Sequence, residues 1–81
     1  MPHVIVKLYP GRPAEQKKQL AREIVKSVVE IVKCKQKSVS VAIEEVAPDD
    51  WAEKVYKPDI VNNKKNLVVT PGYNPFQCRD G

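Results

Sequence analysis

The sequence predicts an α/β (α+β) fold: one β-α-β unit with parallel strands, completed by oligomerisation. Three observations carry this expectation. Two segments of period-two apolar residues, His3–Tyr9 and Ser38–Glu44, flank one long stretch of helical periodicity. The helix between them is long enough to bring the chain back to the start of the first strand, so the second strand lies parallel to it through a right-handed crossover. The third observation is size. A chain of 81 residues buries only about 60% of the surface that its unfolded form exposes.

Each element follows from local chemistry. In His3–Tyr9, Val4, Val6 and Leu8 face one way and His3, Ile5, Lys7 and Tyr9 the other. Pro10-Gly11 closes the strand as a turn. Pro13 suits the first helical position, and Glu15 complements the positive end of the helix. Leu20, Ala21, Ile24, Val25, Val28, Ile31 and Val32 recur at helical spacing, which predicts a helix from about Ala14 to Cys34. Val39, Val41 and Ile43 then alternate with Ser38, Ser40, Ala42 and Glu44. Pro48-Asp49-Asp50-Trp51 reads as the first turn of a short helix. Lys57–Thr70 reads as a further helix starting near Pro58, although Asn62, Asn63 and Asn66 disfavour it. Pro71-Gly72 is a turn signal. The whole, 1–81, is expected to be a single domain with an irregular tail from about 71.

Two parallel strands and one helix do not close a core. The face bearing Ile5, Tyr9 and Ala42 needs a cover, as do the sheet edges. A second copy of the chain would supply it.

Composition narrows the function. The net charge of +4 comes largely from Lys33, Lys35, Lys37, Lys64 and Lys65. No aromatic residues are interleaved with these lysines, as a surface that stacks single strands would need. The first cluster also sits where a helix C-terminus favours cations. Solvated lysines are therefore expected, not a nucleic-acid partner. Cys34 and Cys78 form no CxxC pair, and the chain holds a single histidine. A zinc site is not expected; a single disulfide stays open, with two free thiols in a reducing cytoplasm the simpler reading. The start is not a basic segment followed by an apolar run. The most apolar segment, IVKSVVEIV, is broken by Lys26 and Glu30, well short of the roughly 20 apolar residues of a membrane span. A cytoplasmic protein with no membrane partner is expected.

No GxSxG, P-loop or GxGxxG motif is present. Glu44 and Glu45 are neighbours on a strand and point to opposite faces, so they do not act as a pair. Attention falls on the amino terminus. Initiator methionine is normally removed when proline follows. Removal would make Pro2 a free secondary amine. An α-amine gives up its proton nearer neutral pH than a lysine does, so it is available as a base. Its alternative role is that of a strand starter.

The stretch PHVIVKLYPGRPAEQKK, together with SVSVAIEEV and APDDW, resembles the 4-oxalocrotonate tautomerase family. The likeness covers residues 2 to about 52. The tail, KPDI through TPGY, is similar to the longer, dimeric bacterial branch. The resemblance implies a β-α-β tautomerase-like fold and keto-enol tautomerisation of 2-oxo acids or their enols, with no metal and no cofactor. It implies a homo-oligomer, with a dimer favoured over a hexamer. It makes Pro2 the catalytic base, Arg12 the carboxylate-binding arginine and Trp51 the aromatic wall. Ser40 stands where the hexameric enzymes carry a second arginine. A hydroxyl brings one donor and no charge, which favours a monocarboxylate such as an arylpyruvate enol. Pro2 and Arg12 would lie roughly 25–30 Å apart along an extended strand, so a shared site needs Arg12 of a second copy. Two other readings stay open: a dehalogenase or decarboxylase of the same superfamily, and a non-catalytic β-α-β interaction module binding RNA or acidic partners.

Overall fold

The computed structural model describes residues 1–76. The chain falls into two compact units, one of Met1–Glu45 and one beginning at Val46. The first is the β-α-β unit. Strand β1 (His3–Leu8) is followed by helix α1 (Ala14–Val28) and strand β2 (Ser40–Glu45). The two strands are parallel, and the register runs from His3 opposite Ser40 to Leu8 opposite Glu45. The predicted topology is therefore the observed one.

Gly11, between β1 and α1, has φ +120, a conformation that a side chain would resist. Pro13 sits one position earlier than expected. It is the residue before the first helical one, with extended backbone, and its carbonyl accepts from the amides of Gln16 and Lys17. Its missing N–H therefore costs the helix nothing, as at the first helical position. Beyond Val28 the helix widens into one π turn, Val29–Lys33. Four β-branched residues, Val28, Val29, Ile31 and Val32, stand there and crowd the adjacent turns. Lys33 adopts φ 67, which stops the helix one residue short of the expected Cys34. The first strand ends at Leu8, not Tyr9, and the second starts at Ser40, not Ser38. Ser38 belongs instead to a tight turn, Gln36–Ser38.

Helix α1 covers one face of the sheet. Lys17 on the helix donates to the Glu45 carboxylate at 2.9 Å, and Ala21 and Val25 line a hollow with Val41. Val4, Val6, Val41 and Ile43 are half-buried on that side. On the other side His3 and Ser40 are exposed, and Ile5 is 51% exposed. The Lys17–Glu45 bond also puts Glu45 on the helix side, with Glu44 opposite, as the strand alternation requires.

In the second unit, helix α2 (Pro48–Trp51) runs directly into a wider helical segment, Ala52–Ile60, with Pro58 inside it. This corrects the expectation of a separate helix starting at Pro58. Proline cannot donate and clashes with the carbonyl four residues back, and a π-type spacing relieves that clash. Tighter turns, Val61–Asn66, follow, and the chain is extended by Leu67. The helix does not reach Thr70, since three asparagines compete for backbone bonds there. The Asn66 amide, for example, donates to the Asn63 side chain at 2.7 Å. Among the described residues Val55 is the one that is buried, at 5% exposure. Cys34 is half-buried, whereas Cys78 lies outside the described residues. No helix among the described residues is long and apolar enough to cross a membrane.

Candidate active site

Pro2 stands at the head of β1 and is half-buried. Its carbonyl accepts a hydrogen bond from the Ser40 backbone N–H at 3.2 Å. This bond extends the parallel ladder by one rung, so the residue before the strand does not fray. Ser40 is brought beside Pro2 through the register alone. Its hydroxyl lies 2.6 Å from Nδ1 of His3, its rung partner. The next rung on the same face is Ile5 opposite Ala42, both apolar, and the one after is Lys7 opposite Glu44. The polar pair His3–Ser40 thus lies between the chain start and an apolar strip.

Arg12 is exposed and follows the Gly11 turn, beyond the far end of β1. The full length of the strand separates it from Pro2. Within one chain Pro2 and Arg12 are held apart by the strand that lies between them. Two hollows lie along α1, one lined by residues including Arg22, Lys26 and Glu30, the other by Ala21, Val25 and Val41. Neither includes Pro2, Arg12, Ser40 or Trp51.

Trp51 belongs to the second unit and is half-buried at the end of α2. Its indole N–H donates to the Tyr73 hydroxyl at 2.9 Å. Tyr56 packs against Tyr73 at 5.5 Å between centroids and against Phe76 at 5.7 Å, edge-on. Tilted and edge-to-face rings of this kind each add about 0.5–1.5 kcal/mol beyond their buried area. Trp51 is therefore fixed by its polar edge, which leaves an oriented ring.

His3 is the member of this polar pair that the sequence pattern did not single out. As the single histidine it served only to exclude a metal site. Its signal is the register: His3 pairs with Ser40 only if the strands are parallel and aligned on that rung.

The comparisons with known proteins agree with this fold. The family model described as "Tautomerase enzyme" matches residues 2–55, which include the whole β-α-β unit, α2 and Trp51. The chain is 38% identical over 73 residues to the "Probable tautomerase" of Xylella fastidiosa, covering 90% of this chain and 89% of that one. It is 36% identical over 74 residues to tautomerase PptA of Cronobacter sakazakii, covering 90% of this chain and 97% of the relative. Among solved structures, a 4-oxalocrotonate tautomerase homologue, TTHB242, superposes with a TM-score of 0.60 at 31% identity, over 68% of this chain and 87% of its own. The family match runs from the first strand through Trp51 and the likeness to the sequence relatives spans nearly their whole length, so the chain belongs to the tautomerase family and is an isomerase of the tautomerase type.

Proposed function

We propose that the protein is a cofactor-independent keto-enol tautomerase of a 2-oxo acid or its enol, with an arylpyruvate-like monocarboxylate favoured. In this reading it is a cytoplasmic homo-oligomer, a dimer in preference to a hexamer, and Met1 is removed. Pro2 is the general acid/base. Its amine takes the proton of the enol hydroxyl and returns it to the neighbouring carbon, so one proton moves and the substrate is isomerised with no net change in composition. The observation that carries the reading is the bond from the Ser40 N–H to the Pro2 carbonyl. A base must be held within hydrogen-bond reach of its proton, and a frayed terminus could not be.

Arg12 of a second copy binds the substrate carboxylate through its planar fork. Trp51 contributes an apolar wall, and Ser40 offers a hydroxyl to the substrate oxygen. The open sheet face supports a shared site, since Ile5 is 51% exposed on it. An antiparallel pairing of two such units about a two-fold axis brings the far end of one β1 to the head of the other.

The test is ketonisation of phenylpyruvate enol. Pro2→Ala is expected to lower kcat/KM by about 100-fold or more, the range of a lost general base. Unchanged catalysis would remove Pro2 from that role. So would an intact mass that includes Met1, because the Pro2 nitrogen is then an amide. Mixing Pro2→Ala with Arg12→Ala subunits is expected to restore up to about a quarter of the wild-type rate, since half of randomly mixed dimers regain one of two sites. No recovery would overturn the shared site.

A further inference from the structure

We infer that His3 is a positioning residue that aims the Ser40 hydroxyl at the 2-oxo or enolate oxygen of the substrate; the inference rests on the tautomerase reading above. A serine hydroxyl has one proton and two lone-pair sites. At 2.6 Å from His3 Nδ1 it is engaged in a close hydrogen bond, and the direction of that bond depends on which ring nitrogen carries hydrogen. If Ser40 donates to Nδ1, its remaining valence is lone pairs, which repel a carbonyl, enolate or carboxylate oxygen. If Nδ1 carries the proton and donates to Oγ, the hydroxyl proton of Ser40 is free to point elsewhere. Only the second arrangement serves a substrate that presents oxygen lone pairs.

The surroundings favour this use. Ser40 is anchored through its own backbone N–H to the Pro2 carbonyl, so its Cβ is held one rung from the proposed base. Both side chains are exposed, hence reachable by a ligand. The adjoining rung, Ile5 and Ala42, brings no competing polar group. The pair stands in for the charge of an arginine with a single oriented donor. As the proton leaves the enol, charge builds on the oxygen, and an oriented donor there is stronger in the transition state than in the ground state. Its effect therefore falls on kcat more than on KM. A neutral donor also sets the substrate class: one carboxylate, held by arginine, and one oxygen, held by hydroxyl.

The experiment compares His3→Leu, His3→Gln, His3→Asn and Ser40→Ala on phenylpyruvate enol, with circular dichroism and melting on each. Asparagine can place an N–H near the Nδ1 position, whereas glutamine places it near Nε2. His3→Leu and Ser40→Ala are each expected to lower kcat about 10-fold, as for one lost neutral hydrogen bond, with KM changed less than about 2-fold. His3→Asn is expected to stay within about 3-fold of wild type, and His3→Gln to resemble His3→Leu. The double variant His3→Leu/Ser40→Ala is expected to be no slower than either single one, since both act through one bond. Additive losses, failure of His3→Asn to rescue, or a normal rate in His3→Leu would overturn the inference. A lowered melting point with an unchanged kcat would assign the pair a structural role instead. If Pro2→Ala keeps its activity, the tautomerase reading fails; if Pro2→Ala is inactive and His3→Leu is normal, only the present inference fails.

Discussion

At the residue scale, the decisive positions are those where one atom sets a conformation or a direction. Gly11 is one. Its φ of +120 is outside the range that other residues adopt readily, and a Cβ there would meet nothing within 4 Å. The cost of Gly11→Ala is thus backbone strain alone, expected at about 1–3 kcal/mol. Urea unfolding should report it as a lower midpoint with an unchanged slope. Ser40 is another. Its backbone holds Pro2 while its side chain holds His3, so one residue couples the end of the ladder to the polar pair. Arg12 makes the opposite point: it is placed by the turn it follows, and that turn carries it away from Pro2.

At the scale of elements, the helices deviate from the α pattern where the side chains force it. The β-branched run widens α1 before Lys33 ends it, and Pro58 is accommodated by wide turns, not by a break. What ties the later segment together is its aromatic group. Tyr73 accepts from Trp51 and packs on Tyr56, which reaches across a gap of many residues with no strand or helix at Tyr73 itself. Tyr73→Phe keeps the ring and removes the acceptor, at an expected cost of about 0.5–1.5 kcal/mol. Trp51→Phe should add little further loss from that bond in the double variant, so thermal melts of the four proteins would yield a coupling energy of similar size. A coupling near zero would show that the indole bond contributes nothing in solution.

At the scale of the whole molecule, the chain alone is short of buried surface. Ile5 is 51% exposed, Ile31 78%, Val68 96% and Val69 84%. Scattered apolar residues on a surface are ordinary, but here Val55 is the one buried residue among those described. Such a chain gains stability from mass action when copies associate, and its melting temperature then rises with concentration. Ile5→Asp is expected to lower the melting temperature and shift sedimentation toward the single chain. A residue that faced only water would change stability by no more than about 0.5 kcal/mol, and sedimentation would not move. A charge on the open sheet face therefore separates a covered face from a solvated one.

The sequence by itself determined the two strands, the long helix, their order and their parallel pairing. These rest on local information: period two in Val4, Val6 and Leu8, helical spacing from Leu20 to Val32, and the reach of a helix that returns the chain to its starting edge. It also marked Pro2, Arg12, Ser40 and Trp51, three of them through motifs and Ser40 through a departure from one. Element ends were less legible, because the positive φ of Lys33 is not dictated by its identity, and a proline's fixed φ suits the residue before a helix, its first turn or a widened turn alike, as Pro13 and Pro58 show. Only the tertiary structure decided which side chains meet. The partnership of His3 with Ser40 spans 37 positions and exists because the parallel register aligns that rung. A slip of one residue would send the serine to the helix side of the sheet, since side chains alternate along a strand. Periodicity reveals a strand, but register belongs to a pair of strands, and it is the pair that sets a hydroxyl beside an imidazole at the head of β1.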